Sequence, residues 1–145
     1  MKKSFMIALL SILFIGAGLT ASAQNPEEAG VRAGIEHYFQ GHATGVGDHF
    51  RKAFHPDAKL FFIREGKLTT WTLDEYVGRA SGKPAADEAQ RKRSIASIDI
   101  SGNAAFVKVL LDYPSVQFVD YMSMLKIDGE WKIVNKTFYA EPKKR

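Results

Sequence analysis

The sequence predicts an α+β fold: an antiparallel sheet packed on three helices drawn from the N-terminal half. Two observations carry this. Helical apolar spacing is confined to the first half of the chain, while four alternating runs follow one another in the second. Strands that succeed each other without intervening helices argue for an antiparallel meander and against a doubly wound sheet. The second observation is Asp128-Gly129, set between two long alternating runs. That dipeptide suits a two-residue hairpin turn, which needs positive φ at both central positions.

The elements read in order as follows. Asn25-Pro26-Glu27-Glu28 is a helix start, with Asn25 as cap and Glu28 at the capping-box position. Val31, Ile35, Tyr38 and Phe39 make an apolar helical stripe, and Gly41 is expected to end the helix. Asp48 caps a second helix with Phe50, Ala53 and Phe54 on its buried side, stopped by His55-Pro56. Residues 58–64 form a strand, Glu65-Gly66 a turn, and residues 67–70 the answering strand. Thr72 and Glu75 form a capping box for a third helix reaching about Ala80, with Trp71 and Tyr76 as its staple. Residues 81–90 are a polar loop. A turn at Gly102-Asn103 then places Ile98 and Ile100 on one face with Ala105, Val107, Val109 and Leu111.

In the last hairpin, a two-residue loop sets Lys126 opposite Trp131 and Met124 opposite Ile133. Continued evenly, it sets Met122 opposite Asn135, Asp120 opposite Thr137 and Phe118 opposite Tyr139. Opposed residues share a face. One face therefore carries Phe118, Met122, Met124, Trp131 and Ile133, ending in a polar group of Asp120, Asn135, Thr137 and Tyr139. The other carries Val119, Tyr121, Val134 and Phe138 between Lys132 and Lys136. An apolar wall that ends in a small polar cluster is one side of a ligand cavity.

Residues 1–23 read as a signal peptide. Lys2 and Lys3 precede an uncharged apolar run from Phe5 to Leu19, and Ala21-Ser22-Ala23 is a small-residue cleavage site before Gln24. The run is shorter than the ~20 residues a membrane span needs. Residues 24–145 are expected to form one exported domain, periplasmic or extracellular in a bacterium, with no membrane span. Lys2 and Lys3 account for half of the formal charge of +4, so the mature chain is only weakly basic. Its basic clusters, at Arg91-Lys92-Arg93 and the C-terminal tail, read as solvated surface, and no nucleic-acid partner is expected. There is no cysteine, so the core alone must stabilise the domain.

The succession Phe54-His55-Pro56-Asp57-Ala58, Gly66-Lys67-Leu68 and Trp71-Thr72-Leu73-Asp74-Glu75-Tyr76 carries a resemblance, completed by Phe118 to Tyr121, Asp128 to Val134 and Lys136-Thr137-Phe138. The chain resembles the nuclear transport factor 2-like superfamily, and within it the exported branch called putative lumazine-binding proteins. The resemblance implies a curved sheet wrapped round the helices into a cone, a cavity inside it, and dimerisation through the open sheet face. It implies no single activity, since the fold hosts isomerases, cyclases, dehydratases and plain binders.

Candidate chemistry is sparse. Asp120 lies on an otherwise apolar strand face, where burial would raise its pKa and let it act as a base or a protonated donor. Ketosteroid isomerases and polyketide cyclases of the resembled superfamily use pocket carboxylates this way. The bland alternative is an Asp120 satisfied by Thr137 or Asn135. His55, at the mouth of the first strand, and Tyr38, on the first helix, are its candidate catalytic partners. Each also has a structural reading, as a local cap and a core residue. Phe62, Trp71, Phe118, Met122, Trp131 and Asn135 are the candidate ligand-binding residues; core packing competes for the aromatic ones. No histidine stands at metal-ligand spacing and no cofactor motif occurs. The sequence thus supports a small-molecule binding module, with a cofactor-free isomerase, cyclase or dehydratase as the alternative, acting as a homodimer.

Overall fold

The hairpin at Asp128-Gly129 forms the longest strand pairing among the described residues. In the computed structural model, which describes residues 25–144, β5 (Val116–Ile127) runs antiparallel to β6 (Glu130–Pro142). Asp128 and Gly129 both have positive φ, 51° and 85°, as a type I′ turn requires. The expected signal peptide lies outside the described residues.

From the turn to Met124 opposite Ile133, the register is the expected one. There it changes. Ser123 pairs with Asn135, so β6 contributes one extra residue, Val134, against the same length of β5. Such a β-bulge reverses which face every later side chain takes. Met122 therefore opposes Lys136, Asp120 opposes Phe138, and Val119 opposes Tyr139. This corrects the sequence-based register. Lys136 and Phe138 turn to the helix side of the sheet, while Asn135, Thr137 and Tyr139 turn to the outer side. The polar cluster beside Asp120 is built from a different strand face than the even alternation suggests.

The other strands are β1 (Phe54–Arg64), β2 (Lys67–Thr72), β3 (Lys92–Ser101) and β4 (Ala104–Asp112), in the sheet order β2-β1-β6-β5-β4-β3. The β3–β4 register follows the Gly102-Asn103 turn, with Ile100 opposite Ala105 and Ile98 opposite Val107. All neighbours are antiparallel except β1 and β6, which are parallel and slip in register between Phe54 and Lys59. His55-Pro56 lies in that slip. Proline lacks the N–H that a regular ladder would need there.

Among the described residues, three α-helices cover one side: α1 (Glu28–Thr44), α2 (Gly47–Ala53) and α3 (Leu73–Val77). The start of α1 differs from expectation. Glu27 holds the N-cap position without a side-chain cap, and its carboxylate instead takes Lys126 and Trp131 from the sheet. Helix α1 also continues past Gly41 to a left-handed cap at Gly45. Gly41 is a packing residue, since a Cβ there would stand 2.5 Å from the Phe50 ring. The Thr72–Glu75 capping box forms with both of its hydrogen bonds, but α3 ends at Val77 and passes into single turns. The core lies between helices and sheet, with Val31, Ile35, Tyr38, Leu60, Val107 and Ile133 fully buried.

Candidate functional site

The reversed face of β6 creates a buried charged group where an even alternation predicts none. Asp120, from β5, is wholly inaccessible and Lys136, from β6, is 4% exposed. The Lys136 Nζ lies 3.0 Å from Asp120 Oδ2. Tyr38, from the buried stripe of α1, bridges them: Lys136 Nζ donates to its hydroxyl at 2.6 Å, and the hydroxyl donates to Asp120 Oδ2 at 2.6 Å. Asp120 Oδ1 has no hydrogen-bond partner among the described residues. Burial pulls the Lys136 ammonium below the usual lysine range, opposed by the attraction of Asp120. Burial, reinforced by the Asp120 charge, holds the Tyr38 phenol well above its usual value, so Tyr38 stays protonated.

Above this group lies a cavity of about 690 Å³, a size suited to a small organic ligand. Lys136, His42 and Tyr76 line its inner end. Its wall is aromatic. Phe62 packs against Trp71 at 4.5 Å between centroids and stacks on Phe138 at 4.7 Å, and Phe118 lies 6.3 Å from Phe138. At the outer end are Arg64, Ile63 and Tyr139, the last two largely exposed. Arg79 covers the Trp71 ring at 4.0 Å, a cation–π contact that fixes the indole against the wall.

His42 sits one helical turn after Tyr38. Its ring packs edge-on against Tyr38 at 4.6 Å and Phe50 at 5.1 Å, and its Nε2 shares a 3.0 Å hydrogen bond with the Tyr76 hydroxyl. Burial drives its pKa well below the usual value, helped by the positive charges of Lys136, Arg93 and Arg91. The ring is therefore neutral near pH 7. Unfolding restores an ordinary histidine near 6.5, so the unfolded chain binds the extra proton first as pH falls. The stability held by neutral His42 is complete above about pH 6.5 and falls as pH drops below it. Thermal melts from pH 7.5 to 5 should show this decline, and His42→Gln should flatten it. An unchanged slope would mean that other groups cause the decline.

The candidates named from the sequence now have places. Asp120 and Tyr38 meet behind Lys136, fully buried and not themselves lining the cavity, while Phe62, Trp71 and Phe118 line its wall. His55 stays apart: its Nδ1 accepts the Asp57 N–H at 3.2 Å, where the slip in β1 leaves backbone groups to satisfy. Met122 is buried in the core beside Lys136 and does not line the cavity. Trp131 is also separate, at the turn end of the sheet, where it donates to Glu27 Oε2 at 3.0 Å. Asn135 is turned to the outer face by the bulge. Lys136 and His42 complete the group and were not among the sequence candidates. Spacing could have found His42, which is four residues from Tyr38 and so on the same helical face. No local signal marks Lys136. Among the described residues, no three metal-ligating side chains gather as a metal site, and no helix is long and apolar enough to cross a membrane.

An open sheet wrapped against N-terminal helices, with a cavity between them, defines a nuclear transport factor 2-like protein. Residues 26–139 match the model of the family described as Putative lumazine-binding, and the chain belongs to that family. Crystal structures of two NTF2-like proteins of unknown function are similar. The one from Shewanella baltica OS155 is 26% identical, with a TM-score of 0.73 over 81% of this chain and 95% of that one. The one from Methylobacillus flagellatus KT is 29% identical, with a TM-score of 0.70 over 83% and 96%. A curated relative, Aldolase FrzH of Cladobotryum sp., is 21% identical over 106 residues, covering 73% of this chain and 85% of its own.

Proposed function

We propose that the protein is an exported small-molecule binder whose cavity takes a flat, largely apolar ligand with a carbonyl or anionic oxygen at its inner end. The observation that carries this is a continuous aromatic wall leading to one buried cation, Lys136. The aromatic faces favour a planar ring system, and the ammonium favours an electron-rich oxygen at the depth where the apolar wall ends. The family description supports a heteroaromatic dione of the lumazine kind as the first ligand to test. Trp71 lines the cavity and Trp131 does not, which makes the two indoles separate reporters. Lumazine added to the purified protein should quench tryptophan fluorescence saturably. The quench should vanish in Trp71→Phe and survive in Trp131→Phe. Quenching that is unsaturable, or independent of Trp71, would refute binding in this cavity.

A second reading, proton transfer on a bound ketone, is favoured by the Tyr38–Asp120–Lys136 group. A base and a protonated phenol held 2.6 Å apart are the matched pair that acid–base catalysis needs. Export and dimerisation complete the proposal. The dimer face is the outer side of the sheet, where Phe106 and Tyr121 stack at 5.9 Å and, with Leu125, remain exposed beside Val134. The bulge turns Phe138 and Lys136, which an even alternation would place on this outer face, to the helix side. Intact mass beginning at Gln24, and a dimer by light scattering, are the expected observations. A retained Met1 in the exported fraction, or a monomer at tens of micromolar, would overturn each in turn.

A further inference from the structure

We propose that Lys136 is a nucleophile: its Nζ condenses with the carbonyl carbon of a flat aldehyde or ketone held in the cavity and forms an imine. The inference rests on the cavity being the ligand site, and it adds a covalent step that binding alone does not require. Three features of the geometry support it. The amine lines the inner end of the cavity, at the foot of the aromatic wall and next to Phe138, whose ring centroid is 4.7 Å from Nζ. Planar carbonyl compounds that stack along this wall present their carbon to it. The amine is also attached to proton carriers, Tyr38 at 2.6 Å and Asp120 at 3.0 Å, which imine formation needs. Finally, Asp120 is buried with Oδ1 free of any partner among the described residues, so the carboxylate can take up a proton.

The step balances as follows. Lys136 enters as an ammonium and passes one proton to Asp120, leaving a lone pair on Nζ. That pair forms the N–C bond, and the carbonyl π pair moves to oxygen. The Tyr38 hydroxyl gives its proton to that oxygen and takes one from nitrogen, returning to its starting state. The product of this stage is a neutral carbinolamine. Protonated Asp120 then returns its proton through the Tyr38 hydroxyl, hydrogen-bonded to it at 2.6 Å, to the carbinolamine hydroxyl, which leaves as water while the nitrogen lone pair closes the C=N bond. One ammonium and one carbonyl have become one iminium ion and one water, Asp120 is again a carboxylate, and nothing is oxidised or reduced. The low-dielectric surroundings that hold the ammonium below its usual pKa increase the share of free amine near neutrality. An iminium at this position withdraws electrons from the adjacent carbon and weakens the C–H and C–C bonds there. That is the chemistry by which carbon–carbon bonds next to a carbonyl are made and broken. The substrate class is therefore an aromatic or polycyclic aldehyde or ketone.

The probe is 6-methoxy-2-naphthaldehyde with sodium cyanoborohydride, which supplies hydride to trap an iminium as a stable secondary amine. Intact mass should show one adduct on the folded protein at neutral pH, and peptide mapping should place it on Lys136. Lys136→Arg keeps a cation but has no nucleophilic amine and should lose the adduct. Tyr38→Phe and Asp120→Asn, confirmed folded by circular dichroism, should slow labelling without abolishing the quench. Saturable Trp71 quenching with Lys136 unlabelled would overturn the covalent step and leave the binding proposal standing. Neither quenching nor labelling would overturn both. Labelling spread over surface lysines, unchanged in urea, would show ordinary amine reactivity and also overturn the inference.

Discussion

Asp120→Ala should cost about 3–5 kcal/mol of unfolding free energy, the range for removing one partner of a buried ion pair. The truncation leaves the Lys136 ammonium buried without its counter-charge, with the Tyr38 hydroxyl still accepting from it, and leaves the Tyr38 O–H with no acceptor. The cost should depend on pH. In the folded wild type burial already holds Lys136 below the ordinary lysine value of 10.5, with Asp120 as the attraction that limits the fall. Without Asp120 the folded value drops further while the unfolded value stays. Between the two, the unfolded chain binds a proton that the folded one does not, so the mutant gains stability as pH rises through that window. Denaturation in urea should therefore show its largest deficit at the acidic end of the window and a shrinking one toward pH 10. Lys136→Met leaves a lone carboxylate and should also be costly. Adding it to Asp120→Ala should recover part of the loss, because an apolar pair replaces an unpaired charge. Strict additivity of the two would show that the groups do not interact.

This group was half legible in the sequence, and the reasons are physical. Asp120 and Tyr38 were visible because each is a polar atom on an apolar stripe. Lys136 was not, for two reasons. Lysine is rarely buried, and its side of the strand depends on the single extra residue Val134. A bulge has no required residue type here, and Ile133-Val134 are equally apolar, so either could have ended the inward run. By contrast, the Asp128-Gly129 turn and the Thr72–Glu75 box were legible because both are local, set by backbone sterics and one side chain each. Gly41 shows the opposite failure. Glycine lowers helix propensity, and that argued for a helix end, but contact with Phe50 from α2 decides the position. Moving the helix end to Thr44 brings His42 onto the Tyr38 face. At Gly41 packing overrode propensity, whereas at Val134 there was no local preference to override.

Trp131→Ala should cost about 3–5 kcal/mol, as expected for truncating a buried large aromatic. The residue follows the hairpin turn and is 4% exposed. Its ring fills the space over Gly30, where a Cβ would stand 2.7 Å from Trp131 Cδ1, and its carbonyl is as close to Gly34, at 2.8 Å from a Cβ there. The two glycines flatten α1 so that the helix rests directly on β6. Removing the indole therefore leaves a void that α1 can fill only by shifting, and α1 carries Tyr38 and His42 to the cavity. Two effects can be separated. Trp131→Phe keeps most of the packing but loses the hydrogen bond to Glu27, whose carboxylate is also held by Lys126 at 2.8 Å. It should cost about 0.5–1.5 kcal/mol for the hydrogen bond plus a smaller packing loss. Urea denaturation of both variants checks the ranking. A Trp131→Ala loss below about 1 kcal/mol would fall in the range of surface substitutions and contradict its place in the core. If the ranking holds, Trp131→Ala should also weaken lumazine quenching of Trp71, although Trp131 touches no part of the cavity, because the helix that bears the buried hydroxyl has lost its support.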